Sequence, residues 1–122
     1  MPVEYCIDAE QGVVYTTLKG KVTFAEFAEH LKALAADPDF RNDMCELLDG
    51  GDAETDEFNI GQIMSFKQSH VWGANARRAL TASSDLGYGL FSIFQKTDDG
   101  EHGDVQLFRD ITEARRWLGL AE

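Results

Sequence analysis

The chain has 122 residues, 43% of them hydrophobic, and 22 acidic against 11 basic side chains give a formal net charge of −11. This length and composition fit one folded domain with its own core and exclude a disordered or fibrous protein. A strongly negative surface repels phosphate backbones and anionic lipids, so we expect neither nucleic-acid binding nor attachment to a membrane by charge. The charge is compatible with a basic protein partner, or with a role in solubility alone.

No segment has the pattern of a membrane span or of a secretion signal. Apolar runs stay well short of the roughly 20 residues that a span requires, and the N-terminus lacks a basic segment followed by an apolar one. We therefore expect a cytoplasmic protein. Cys6 and Cys45 lie in apolar, strand-like segments, and we interpret both as buried thiols rather than as metal ligands or a disulfide.

The first predicted elements are two strands joined as a hairpin. Residues 3–8 and 13–18 are β-prone runs, and the turn between them contains Gly12, which suits a positive φ. The hairpin predicts an antiparallel pair at the start of the sheet.

A helix follows the hairpin. Thr23 and Glu26 form a capping box, and apolar residues recur at spacings of three and four until Asp37-Pro38, where we expect the helix to end. His30 lies within this helix, and we assign it to the solvent-facing side.

Strands and helices then alternate to the end of the chain. They are predicted as a strand at 44–48, a helix at 55–70, a strand at 78–82, a helix at 86–94, a strand at 104–108 and a helix at 110–118. The order ββαβαβαβα implies right-handed crossovers and one mixed, mostly parallel five-stranded sheet, with the first strand antiparallel. We treat residues 1–122 as a single α/β domain.

Four segments in this order resemble the SpoIIAA-like family of small bacterial proteins, also described as STAS/SEC14-type domains. The segments are Gly20-x-x-Thr23-x-x-Glu26-Phe27, Leu47-Leu48-Asp49, Arg78-Ala79-Leu80 with Asp85-Leu86-Gly87-Tyr88-Gly89-Leu90, and Phe108-Arg109-Asp110-x-x-Glu113-Ala114-x-x-Trp117-Leu118. The resemblance spans nearly the whole chain and implies the same order of strands and helices.

The resemblance implies a non-enzymatic module of STAS type that binds or regulates a partner protein. Anti-sigma-factor antagonists of this fold carry a phosphorylatable Ser or Thr soon after the Asp that ends the third strand. Here the matching stretch is Asp49-Gly50-Gly51-Asp52, with no hydroxyl before Thr55, so the phosphoswitch motif is not intact. The SEC14-type likeness implies an alternative, a carrier or sensor of a small apolar ligand or lipid.

The loops after the third, fourth and fifth strands are the predicted binding sites, because ligands of parallel α/β sheets gather at the carboxyl ends of the strands. The candidates in them are Asp49, Asp52, Thr55, Ser84, Asp85 and Tyr88. Ser83, Ser84 and the free amides of the helix start could hold an anion. Alternatively, Asp85 itself occupies that positive helix end as a cap, which is the interpretation we favour.

The sequence predicts no metal site and no cofactor. The acidic run 49–57 fails the spacing of a calcium loop, since its third and sixth positions are Gly51 and Glu54 rather than an acid and a glycine. No catalytic motif is present, and an enzyme would have to use Asp49, Asp85 or Tyr88. We therefore predict a non-enzyme.

The predicted helix 55–70 and its surroundings carry more large apolar residues than one buried stripe can hold. Phe66 and Trp72 are the candidates for exposure. They could line a lipid-sized cavity, form a homodimer contact, or pack beneath the hairpin.

Overall fold

A five-stranded sheet forms the centre of the fold. The computed structural model describes residues 2–51, 53–54, 61–62, 65, 71–96 and 103–120. The strands are β1 (Val3–Asp8), β2 (Val13–Leu18), β3 (Cys45–Asp49), β4 (Arg77–Thr81) and β5 (Asp104–Phe108). The helices with defined bounds are α1 (Phe24–Ala36), α2 (Asp85–Lys96) and α3 (Ile111–Leu118).

The strands lie in the sheet in chain order, β1-β2-β3-β4-β5. β1 is antiparallel to β2, and the other three pairs are parallel. This confirms the predicted α/β class with a mixed, mostly parallel five-stranded sheet. β3 and β4 are displaced by one residue from their predicted bounds. The predicted helix 55–70 lies outside the described residues except at Gly61, Gln62 and Ser65, which are helical.

Local signals set the hairpin and α1 as predicted. Gly12 has a φ of 70° and donates its N–H to the Asp8 carbonyl oxygen at 2.9 Å. At the start of α1, the Thr23 hydroxyl accepts the Glu26 N–H at 3.2 Å, and the Glu26 carboxylate accepts the Thr23 N–H at 2.9 Å. Both bonds satisfy backbone N–H groups at the helix start, where no acceptor is available within the helix, and so they fix where α1 begins.

The two faces of the sheet are covered by different helices. α1 and α2 lie on one face, where Leu34 of α1 packs with Val14 and where Phe91 of α2 packs against Leu80 and its neighbours. We call this the α1 face. On the opposite side, the α3 face, a core cluster joins α3 to β3 and β4, and its buried members are Leu47, Ala79, Ala114 and Leu118.

The predicted burial is wrong for Cys6, whereas Cys45 packs against the core cluster of the α3 face. Cys6 is exposed and Cys45 is half-buried. Side chains alternate along a strand, so Cys6 points away from the α1 face that its neighbours Tyr5 and Ile7 occupy. It lies on the α3 face at the β1 edge, whereas α3 packs over β3, β4 and β5.

Candidate functional site

Hydrogen bonds tie together the loops at the carboxyl ends of β3 and β4. Gly50, directly after β3, donates its N–H to the Thr81 carbonyl oxygen at 3.0 Å. The Ser83 hydroxyl donates to the Gly51 carbonyl oxygen at 2.6 Å. The sequence candidate Asp49 lies at this edge, half-buried as the last residue of β3.

Arg109 brings two further candidates, Asp85 and Tyr88, together at the same edge. Its Nη1 donates to Asp85 Oδ1 at 2.9 Å and to the Ser83 carbonyl oxygen at 3.2 Å, and its guanidinium carbon lies 4.1 Å from the centre of the Tyr88 ring. Ser84 precedes α2, and its carbonyl oxygen accepts the Tyr88 N–H. Because the Asp85 side chain is 98% exposed, this ion pair orders the loop but adds little stability.

The remaining candidates do not join this cluster. Asp52, Thr55 and Phe66 lie outside the described residues. Trp72 is buried, with its ring 5.0 Å from that of Phe40 in an edge-to-face contact, as expected for the alternative in which it packs beneath the hairpin. It belongs to the core cluster beneath the hairpin, because residue 72 lies in the segment leading to β4 rather than on the outer face of a helix.

A buried ion pair that the sequence prediction missed joins β3 to β4 on the α1 face. Arg78 Nε donates to Glu46 Oε1 at 3.0 Å, and the β3–β4 register sets the two residues directly opposite each other. The Thr16 hydroxyl of β2 donates to Glu46 Oε2 at 3.3 Å. The Arg78 guanidinium carbon also lies 5.0 Å from the centre of the Trp72 ring. Two charges are therefore held inside the core by paired and hydrogen-bonded partners, as buried charges require.

His30 lies close to this ion pair and is buried, so its predicted position on the solvent side of α1 is wrong. It follows Phe27 by three residues and precedes Leu34 by four, which places it on the buried face of the helix. Neither ring nitrogen has a hydrogen-bond partner among the described residues. Burial lowers the pKa of His30 below its ordinary value; the Glu46 charge opposes this shift and the Arg78 charge adds to it.

A groove with a volume of about 400 Å³ opens between β1 and α1. Short and apolar side chains form much of its lining, and three polar side chains from α1 complete it. The lining residues are Pro2, Val3 and Tyr5 on the strand side and Ala25, Glu26, Glu29, His30 and Ala33 on the helix side. The groove and the buried ion pair thus share His30 as a common neighbour.

The outer edge of β1 borders this groove. The Lys19 N–H donates to the Pro2 carbonyl oxygen at 2.8 Å, which makes these two residues a hydrogen-bonded pair of the antiparallel ladder. Such pairs alternate along a strand, so the even-numbered residues of β1 direct their backbone groups to β2. Val3, Tyr5 and Ile7 direct theirs outward, and no described strand pairs with that edge.

No protein-family model, curated protein or solved structure matches the chain. The resemblance to the SpoIIAA-like family therefore rests on the four sequence segments alone. None of the helices in the described ranges is both long and apolar enough to cross a membrane. Within the same ranges, no three His, Cys, Asp or Glu side chains are grouped so that they could hold a metal ion.

Proposed function

We propose that this chain is a non-catalytic binding module of the SpoIIAA-like, STAS type, which takes up an extended segment of a partner protein along β1. The observation that carries the proposal is that no described strand pairs with the outer backbone edge of β1, and that the same strand borders a largely apolar groove. The surface differs from the strand-end loops that the sequence indicated, where Arg109 already engages Asp85 and Tyr88.

Strand addition uses both features of this surface. Main-chain hydrogen bonds to a sheet edge supply affinity, and a pocket that receives alternate side chains supplies specificity. Val3 and Tyr5 present outward backbone groups, and their side chains line the groove. An added strand would lie roughly 4.8 Å from β1 and would place every second side chain on the groove side.

The two edges of the sheet differ in how they are covered. At β5, the Gln95 side chain of α2 donates to the Val105 carbonyl oxygen at 2.9 Å. At β1, α1 stands beside the strand but leaves the groove between them open. Proteins normally cover or blunt a long sheet edge, so an edge with which no described strand pairs, beside an apolar groove, favours a docking role.

Amide hydrogen exchange on the full chain tests strand addition residue by residue. The probes are nonapeptides selected from a displayed random library on the folded protein. Binding along β1 slows exchange at Val3, Tyr5 and Ile7 and leaves the already bonded amides of residues 4, 6 and 8 unchanged. Binders that protect a different surface, or a library that yields no binders, would contradict the proposal.

A groove-filling variant provides a second readout with a matched control. Ala33→Trp places a large ring in the groove, whereas Ala35→Trp adds the same ring at an exposed position of α1 outside the lining. We expect Ala33→Trp to lower peptide affinity at least tenfold and Ala35→Trp to leave it unchanged. Equal effects of the two variants would show that the groove does not contribute to peptide binding.

The groove volume favours one second candidate, a carrier or sensor of a small apolar ligand. A volume of about 400 Å³ falls within the range of small-molecule sites. Native mass spectrometry of the protein purified from its own host tests this: a carrier shows extra non-covalent mass that Ala33→Trp removes. A mass equal to that of the denatured chain contradicts the carrier.

A further inference from the structure

We infer that the partner segment carries a lysine or arginine on its groove side, next to an apolar side chain that enters the groove, and that the basic group pairs with Glu29. This inference rests on the proposed docking of an extended segment along β1. It assigns the chemistry of the partner, which the shape of the groove alone does not give.

The first step concerns the carboxylates of the groove wall. Glu26 and Glu29 stand three residues apart on α1, so their side chains lie on the same face of the helix. Glu26 is already engaged, because its Oε1 accepts the Thr23 N–H in the capping box at 2.9 Å. Glu29 is exposed and has neither a hydrogen-bond nor an ion-pair partner among the described residues. A cation from a partner would meet an unpaired carboxylate there.

The second step concerns the two sides of β1. On the groove side, Glu29 stands without a partner among the described residues. On the opposite side, Glu4 is already paired with Lys19, with Nζ and Oε2 2.9 Å apart. Residues of an added strand alternate between the two sides. We therefore expect a basic residue only at those positions of the partner strand whose side chains point to the groove side, and not at the positions that point to the opposite side.

The third step concerns the apolar part of the groove next to Glu29. Val3, Tyr5, Ala25 and Ala33 offer an apolar surface to one side chain of the added strand. The next residue on the same side lies two positions along the strand. An apolar residue and a lysine or arginine spaced by two therefore fit the groove together, whereas adjacent ones point to opposite sides.

The test sequences the selected nonapeptides and compares Glu29→Gln with Glu10→Gln, which removes an exposed carboxylate in the hairpin turn away from the groove. We expect enrichment of Lys or Arg two positions from an apolar residue. Glu29→Gln should weaken binding about two- to fivefold, the usual size for an exposed ion pair, with a smaller loss at high salt. Glu10→Gln should leave affinity unchanged.

The outcomes separate this inference from the proposed function. Peptides that protect Val3, Tyr5 and Ile7 but show no basic enrichment, and bind Glu29→Gln as tightly as the parent chain, overturn the inference and leave strand addition in place. Peptides that do not protect these amides overturn both. Equal weakening by Glu29→Gln and Glu10→Gln would reduce the effect to net charge and likewise overturn the pairing with Glu29.

Discussion

Arg78 and Glu46 form an ion pair across β4 and β3, with side chains only 9% and 2% exposed. Each of these buried charges is stabilised by the other. Removing one leaves the remaining charge unpaired in a core that solvates it poorly, which lowers the free energy of unfolding. The pair therefore limits which substitutions the centre of the sheet tolerates.

Glu46→Gln should destabilise the protein by about 3–5 kcal/mol, since it leaves Arg78 buried without an opposite charge. Urea unfolding followed by circular dichroism measures the loss. Asp85→Asn, which breaks the exposed pair with Arg109, is the control and should cost less than about 1 kcal/mol. The double variant Glu46→Leu with Arg78→Met removes both charges and should recover most of the stability. A single Glu46→Gln variant as stable as Asp85→Asn would contradict this account.

His30 should make the protein less stable in mild acid. Its pKa is lowered in the folded state, mainly because burial disfavours the imidazolium, whereas the unfolded chain titrates near 6.5. Just below that pH the unfolded chain binds a proton that the folded chain does not. The free energy of unfolding therefore decreases as the pH falls from about 6.5 toward the lower pKa of the folded state. Urea midpoints between pH 7.5 and 5.5 should decline, and His30→Phe should flatten that decline. An equal decline in both proteins would assign it to other groups.

Thr23→Ala should cost about 1 kcal/mol, because the Glu26 N–H loses the hydroxyl that accepts it at the start of α1. Lys32→Ala, at an exposed position of the same helix, is the control and should change stability by less than about 0.5 kcal/mol. Urea unfolding measures both, and similar losses in the two variants would argue against a role for the cap.

Two glycine-to-alanine substitutions should act in opposite directions. At Gly50, a Cβ would lie 2.3 Å from the Thr81 carbonyl oxygen, so Gly50→Ala must displace the backbone where β3 meets β4 and should destabilise the fold. At Gly89, within α2, a Cβ meets no atom of the described residues within 4 Å, and Gly89→Ala should stabilise the protein by about 0.5–1 kcal/mol. Thermal unfolding checks the sign of each change; a neutral Gly50→Ala would show that the contact relaxes easily.

The sequence predicted best those elements whose signals are local. A positive-φ glycine and a capping box each act within a few residues, so the hairpin and the start of α1 were predicted correctly. The resemblance and the alternation of elements also indicated the mixed five-stranded sheet, because crossover rules leave few arrangements of alternating strands and helices.

The polar interior escaped prediction because it depends on register between distant strands. Glu46 and Arg78 are 32 residues apart and meet only when β3 and β4 pair. One signal was present: each predicted central strand contained a single charge of opposite sign among apolar residues, a pattern that suggests a buried pair. The prediction for His30 was wrong because residues three or four apart share a helix face. His30 stands three residues from Phe27 and four from Leu34, and this spacing places it on their buried face.

The position of α3 has a consequence for synthesis of the chain. Leu47 and Ala79 leave the ribosome well before Ala114 and Leu118, the residues that cover them. Until the last helix is made, the apolar α3 face of β3 and β4 stands open to water in the nascent chain. That interval exposes the apolar face to chaperones and to other unfinished copies of the chain, and a released chain truncated before Ile111 would lack the residues that cover this face.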